Sequence, residues 1–153
     1  MQARLRRLNA DYERVAAVFG QHPHIRFVQA EGNPPDKYTF EFQIKGLVPS
    51  GDQSVIGTLH RAEVFLPIDY PRRPSFCRMI TPVFHPNIDP QKICIGDHWS
   101  AGQSLAQLIV RIGEMICYQS YNVKSPLNAL AAAWAETHLG ELPLENTDLS
   151  TGV

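Results

Sequence analysis

Cys94 follows a His85-Pro86-Asn87 turn by seven residues, and no other stretch of this chain brings chemically useful side chains so close together. Pro86 fixes its own backbone and restricts His85, so the turn holds His85 and Asn87 in one orientation while the chain runs on to Cys94. A thiol, which reacts as a nucleophile when ionised, is thereby brought to the same spot as an amide hydrogen-bond donor. Alone, a cysteine between Ile93 and Ile95 reads more readily as a small buried hydrophobe than as a nucleophile, and His-Pro-Asn as any proline turn. The motifs around them have to decide.

The three cysteines, Cys77, Cys94 and Cys117, are odd in number and widely spaced. This argues against a disulfide framework and against a structural zinc knuckle, and in favour of a reduced, cytoplasmic setting. His22, His24, His60 and His138 show no ligand spacing, so no metal or other cofactor is expected. A net charge of −1 with 19% charged residues gives no electrostatic case for nucleic acid or membrane as a partner. No stretch approaches the roughly 18 to 20 apolar residues that span a bilayer, which predicts a soluble protein. The length of 153 residues suits one domain over 1–140, followed by a short polar tail over 141–153 that is expected to be loosely held.

Leu5, Leu8, Tyr12, Val15, Ala16 and Phe19 recur at helical spacing, and Gly20 ends the pattern. A short apolar piece over 25–28 follows. Tyr38, Phe40, Phe42 and Ile44 then alternate with polar residues as a strand, and Ala62, Val64 and Leu66 do the same after a turn-rich loop at 48–53, which predicts an antiparallel meander. Half of the twelve prolines fall between Pro67 and Pro90, leaving 76–80 as the only strand candidate there. Leu105, Leu108, Ile109, Ile112 and Ile116 mark a second helix. An alanine-rich third helix runs over 127–134, with Ser125 and Pro126 as its expected N-cap and first helical residue. Cys77 and Cys117 read as structural, and Trp99 and Trp134 as packing residues.

This order of elements, with Tyr70-Pro71-Arg72-Arg73-Pro74, Val83-Phe84-His85-Pro86-Asn87-Ile88, Ile93-Cys94-Ile95, Trp99-Ser100 and Ser125-Pro126-Leu127, resembles the ubiquitin-conjugating enzymes over nearly the whole chain. The resemblance implies an α+β fold: an N-terminal helix, a four-stranded antiparallel meander, an active-site loop and two C-terminal helices. It implies that Cys94 accepts a ubiquitin-like protein as a thioester from an activating enzyme and passes it to an amine, such as a lysine, of a target protein. A thioester suits that task because thiolate both attacks and leaves well. Asn87 matches the residue that stabilises the oxyanion or braces the surrounding loop, and His85 matches the histidine that supports the turn. Arg4, Arg6 and Arg7 are similar to the helix face offered to the activating enzyme, although a solvated helix face looks the same.

The chain also departs from the family pattern. The segments from Asn87 to Cys94 and from Cys94 to Trp99 are short, and Ser125 stands where an acid usually sits near the acceptor lysine. Asp97 and His98 are the residues expected to replace that acid at the rim. Ser100-Ala101-Gly102 lacks the usual proline and Arg73-Pro74-Ser75 the usual apolar contact, which leaves open whether a ligase takes part. Trimmed relatives of this kind resemble those encoded with bacterial ubiquitin-like conjugation systems, some linked with antiphage defence. The alternative reading is a non-catalytic member of the same fold that binds a ubiquitin-like protein or scaffolds a complex; such variants lack the cysteine that this chain keeps. An unrelated cysteine hydrolase would need a histidine base, and His98 is the only one near Cys94 in sequence.

Overall fold

The computed structural model describes residues 2–95, 99–144 and 146–153. Helix α1 (Ala3–Phe19) buries Leu8, Val15 and Phe19 on one stripe, as its apolar spacing demands. At the next position of that stripe the structure corrects the sequence: Asp11 is buried at 3% exposure, while Tyr12 reaches 37%. A carboxylate is tolerated at such a site only with partners, and Asp11 has three, described below.

Strands β1 (Ile25–Gly32) and β2 (Pro35–Phe42) form a hairpin, and two further strands, β3 (Gly46–Ser50) and β4 (Gln53–Gly57), form a second small one. The segment 48–53, expected as a plain loop, thus lies inside a ladder. Gly51, at φ 64°, takes the left-handed conformation that so tight a reversal requires. Strands β5 (His60–Phe65) and β6 (Phe76–Met79) complete a four-stranded antiparallel sheet in the order β1-β2-β5-β6. Tyr38, Phe40 and Phe42 lie opposite Val64, Ala62 and His60, so the alternating residues read from sequence form the buried face.

Helix α2 (Leu105–Ile116) packs with α1 over this face. It opens with a capping box in which the Ser104 hydroxyl accepts from Gln107 N and the Gln107 side chain accepts from Ser104 N. Helix α3 (Ala129–Thr137) starts later than its sequence suggested, and Asn128, not Ser125, is its N-cap. The cause lies outside the helix: the backbone N–H groups of Leu127 and Asn128 both donate to Pro86 O, at 2.8 and 3.0 Å, so 125–127 is laid along the His-Pro-Asn turn. The Asn128 side chain then accepts from Ala131 N at 3.0 Å.

The tail expected to be loosely held is instead anchored. Leu149 is fully buried, its carbonyl accepts from His22 Nε2 at 2.8 Å, and Gln119 Nε2 donates to Thr147 O at 2.9 Å. Gly113 on α2 makes room, since a Cβ there would lie 3.1 Å from Leu149 Cδ1. Leu149 stands alone between Leu144 and Val153, and so isolated an apolar residue carries no periodicity, which is why the anchor was invisible in the sequence. Leu149→Ala is expected to destabilise the fold by about 2 to 5 kcal/mol, measured as a lowered urea midpoint at unchanged slope.

Candidate active site

Two short strands, β7 (Ile88–Asp89) and β8 (Lys92–Ile93), place the cysteine. Ile88 pairs with Ile93 and Asp89 with Lys92, and Cys94 N donates to Asn87 O at 3.0 Å as the next rung. A two-residue reversal at Pro90-Gln91, steadied by Gln91 N donating to Asp89 Oδ1 at 2.8 Å, therefore dictates the spacing of seven between Asn87 and Cys94.

The turn is supported from behind. His85 is buried, and its Nδ1 accepts from Asn87 N at 3.0 Å, which puts the ring proton on Nε2. Tyr118, just after α2, takes the left-handed conformation at φ 60°. Its ring lies 4.7 Å from that of His85, and its hydroxyl donates to Phe84 O at 2.7 Å. Burial, only partly offset by backbone hydrogen bonding, lowers the His85 pKa from 6.5 to about 4, so the ring is neutral at physiological pH.

That shift has a consequence for stability. Between pH 6.5 and about 4 the unfolded chain binds a proton at His85 that the folded chain does not, so stability falls as pH falls through this window. Burial lowers the His60 pKa too, which acts in the same direction. Moving from pH 7 to pH 5 is expected to cost about 2 kcal/mol through His85. Urea midpoints at the two pH values check this, and His85→Gln should flatten the difference even though it lowers both midpoints.

Asn87 is 8% exposed and uses both ends of its carboxamide on one residue of the facing loop. Its Nδ2 donates to Asn122 O and its Oδ1 accepts from Asn122 N, each at 2.8 Å. Cys94, partly exposed, opens with Asn87 onto a cleft of about 200 Å³. Arg111 and Met115 of α2 form one wall, and Ser120, Tyr121, Asn122 and Ser125 the other. Cys77 and Cys117 are buried, and burial pushes the Cys77 thiol up to about 12, so neither competes as a nucleophile. A larger hollow of about 460 Å³, between β6 and β8, includes Phe76 and Ile93 but not Cys94.

The structure thus brings Cys94, Asn87 and Ser125 to one cleft, with His85 behind it. Asp97 and His98 lie outside the described residues. Two of the three arginines expected on a docking face turn inward instead. Arg4 donates to Leu66 O and Pro67 O at 3.2 and 3.3 Å. Arg7 bonds Asp11 at 2.9 Å, Tyr70 OH at 3.3 Å and the carbonyls of Ala101 and Gln103. Arg6 is exposed. Inward arginines are held by carbonyls more than 60 residues away, which no local spacing reveals. Asp11, the partner of Arg7, also accepts from Tyr70 OH and from Leu105 N, the first N–H of α2. Trp99 donates to Pro71 O at 2.8 Å and Trp134 stacks on His138, both as packing residues.

Arg111 was missed as well. A charge within the apolar run from Leu108 to Ile112 was the available signal.

A family model described as "Ubiquitin-conjugating enzyme" matches residues 21–141. The chain is 33% identical to ubiquitin-conjugating enzyme E2 N of Drosophila melanogaster over 88 residues, 54% of this chain and 57% of that protein. It is 29% identical to ubiquitin-conjugating enzyme E2 13 of Saccharomyces cerevisiae over 118 residues, 74% of each. A crystal structure assigned to a ubiquitin conjugating enzyme from Plasmodium yoelii shares the fold with a TM-score of 0.65 at 19% identity, covering 92% of this chain and 88% of that one. The cysteine hairpin, its bracing asparagine and this match across more than two thirds of the sequence converge: the chain belongs to the ubiquitin-conjugating enzyme family.

Proposed function

We propose that this protein accepts a ubiquitin-like protein from an activating enzyme as a thioester on Cys94 and transfers it to an amine of a target protein. The observation that carries this is the hairpin rung between Asn87 and Cys94, which sets a partly exposed thiol at the mouth of a cleft beside a fixed amide. The similarity to ubiquitin-conjugating enzymes favours ubiquitin or a protein like it as the cargo. Loading forms a bond from Cys94 Sγ to the cargo's terminal carbonyl carbon and breaks that carbon's bond to the activating enzyme. The activating enzyme departs as the leaving group while the Cys94 proton passes to solvent. Transfer breaks the bond to Sγ as the amine nitrogen attacks the same carbon, releasing the thiolate and one proton to solvent. In this reading Asn87 holds the facing loop at residue 122 and turns its remaining N–H toward the cleft. The setting is the cytoplasm, and the partners are the ubiquitin-like protein, the activating enzyme and the target.

Incubation with ATP and soluble extract of the source, run on paired non-reducing and reducing gels, tests the reading. A small-protein adduct on the wild type that thiol reductant removes, and that Cys94→Ala never forms, supports it. No adduct in an extract that sustains other ATP-dependent conjugation refutes it and favours a binding module.

A further inference from the structure

The cleft holds one positive charge that the family reading does not use. Arg111 of α2 lines the same cleft of about 200 Å³ as Cys94 and Asn87, and it borders a second hollow beside Glu114. Among the described residues Arg111 makes no hydrogen bond and no ion pair. Glu114, three residues along α2, feels its attraction, but burial and Asp148 raise the Glu114 pKa against it. No carboxylate lines the cleft among the described residues. Lys124, the other cation of the facing loop, is exposed and is not part of the lining.

Asn87 cannot meet the demand of the reaction by itself. One N–H of its amide is bound to Asn122 O, leaving a single donor, whereas the oxygen of a tetrahedral intermediate carries a full charge and accepts from more than one. A guanidinium, always protonated and presenting several N–H groups in a plane, is suited to that second place.

We propose that Arg111 is a catalytic residue that donates, alongside the remaining Asn87 N–H, to the oxyanion formed when a nucleophile attacks the thioester on Cys94. This rests on the thioester reading above. In the step itself the nucleophile's lone pair forms the new bond to the carbonyl carbon, and the C=O π pair moves to oxygen, where Arg111 meets it. Collapse restores C=O and expels the Cys94 thiolate, with the nucleophile's proton passing to water. Because the charge develops on oxygen whatever attacks, the contribution is the same for every nucleophile.

The test starts from protein loaded on Cys94 and follows single-turnover discharge to hydroxylamine, a neutral nucleophile, and to Nα-acetyl-lysine. Arg111→Met is expected to slow both by a similar factor of about 10². Arg111→Lys, which keeps the charge but not the planar fork, should recover a tenfold part of that loss. Thermal midpoints of the two variants within a few degrees of wild type place the effect in the chemistry. Three results would overturn the proposal: unchanged discharge in Arg111→Met, loss confined to the lysine acceptor, or an Arg111→Lys variant as slow as Arg111→Met. Absence of a thiol-labile adduct on wild type would instead remove the thioester reading and this proposal with it; an adduct with unchanged discharge removes this proposal alone.

Discussion

Serine in place of Cys94 is expected to turn a reductant-labile adduct into one that survives thiol and is cleaved only by alkali. The hydroxyl is a far weaker nucleophile than the thiolate, so loading should be slow. It is also a poorer leaving group, so whatever loads should stay loaded. The local structure has no reason to change, because the strand pairing at this position runs through the Cys94 backbone N–H and not through its side chain. Onward transfer to an amine should therefore fall below detection while a stable adduct accumulates. A serine variant that turns over at the wild-type rate would place the carrier atom elsewhere. Cys77 and Cys117 are poor candidates for it, since both are buried.

Asn87→Ala is expected to slow transfer to lysine by about 10²- to 10³-fold, equivalent to about 2.7 to 4 kcal/mol, while loading of Cys94 changes by less than tenfold. Two losses combine in it. The variant removes the remaining Asn87 N–H from the cleft, and it unties the 119–124 loop, whose residue 122 is held by both ends of the carboxamide. Asn122 is exposed, so water replaces those bonds and the cost to global stability should stay near 1 kcal/mol. Hydrogen exchange at Asn122 N–H separates the two contributions: it should speed up in Asn87→Ala and stay slow in Arg111→Met. Equal loss in loading and in transfer would remove the transfer-specific role of Asn87.

What could be read from the sequence was what is set by neighbours along the chain. Alternation over Tyr38, Phe40 and Phe42 marked β2, and the stripe from Leu105 to Ile116 marked α2. The hairpin behind the seven-residue spacing of Asn87 and Cys94 was not legible, because Pro90 and strands of two residues leave no alternation to read. What else escaped depends on partners far away. Ser125 and Pro126 have the chemistry of a helix start, but the carbonyl of Pro86 claims the next two N–H groups and moves the cap to Asn128. Arg4 and Arg7 look like a solvated face until carbonyls from 66–67 and 101–103 come to meet them. Asp11 and Arg111 occupy ordinary helix positions, and only the packing of α1, α2 and the Cys94 hairpin gives either one a task.

The buried Asp11 carboxylate has a mechanical meaning. It takes bonds from Arg7 on its own helix, from the Tyr70 loop and from the first N–H of α2, so three segments converge on two oxygen atoms. Breaking it apart would strand a charge in the interior, which makes the junction stiff against sliding. A protein that grips the exposed side of α1 around Arg6 therefore takes hold of α2 as well, and one end of α2 is the wall of the cleft that carries Arg111 and Met115. Helix α1 and the helix that faces the thiol are thus riveted together at Asp11.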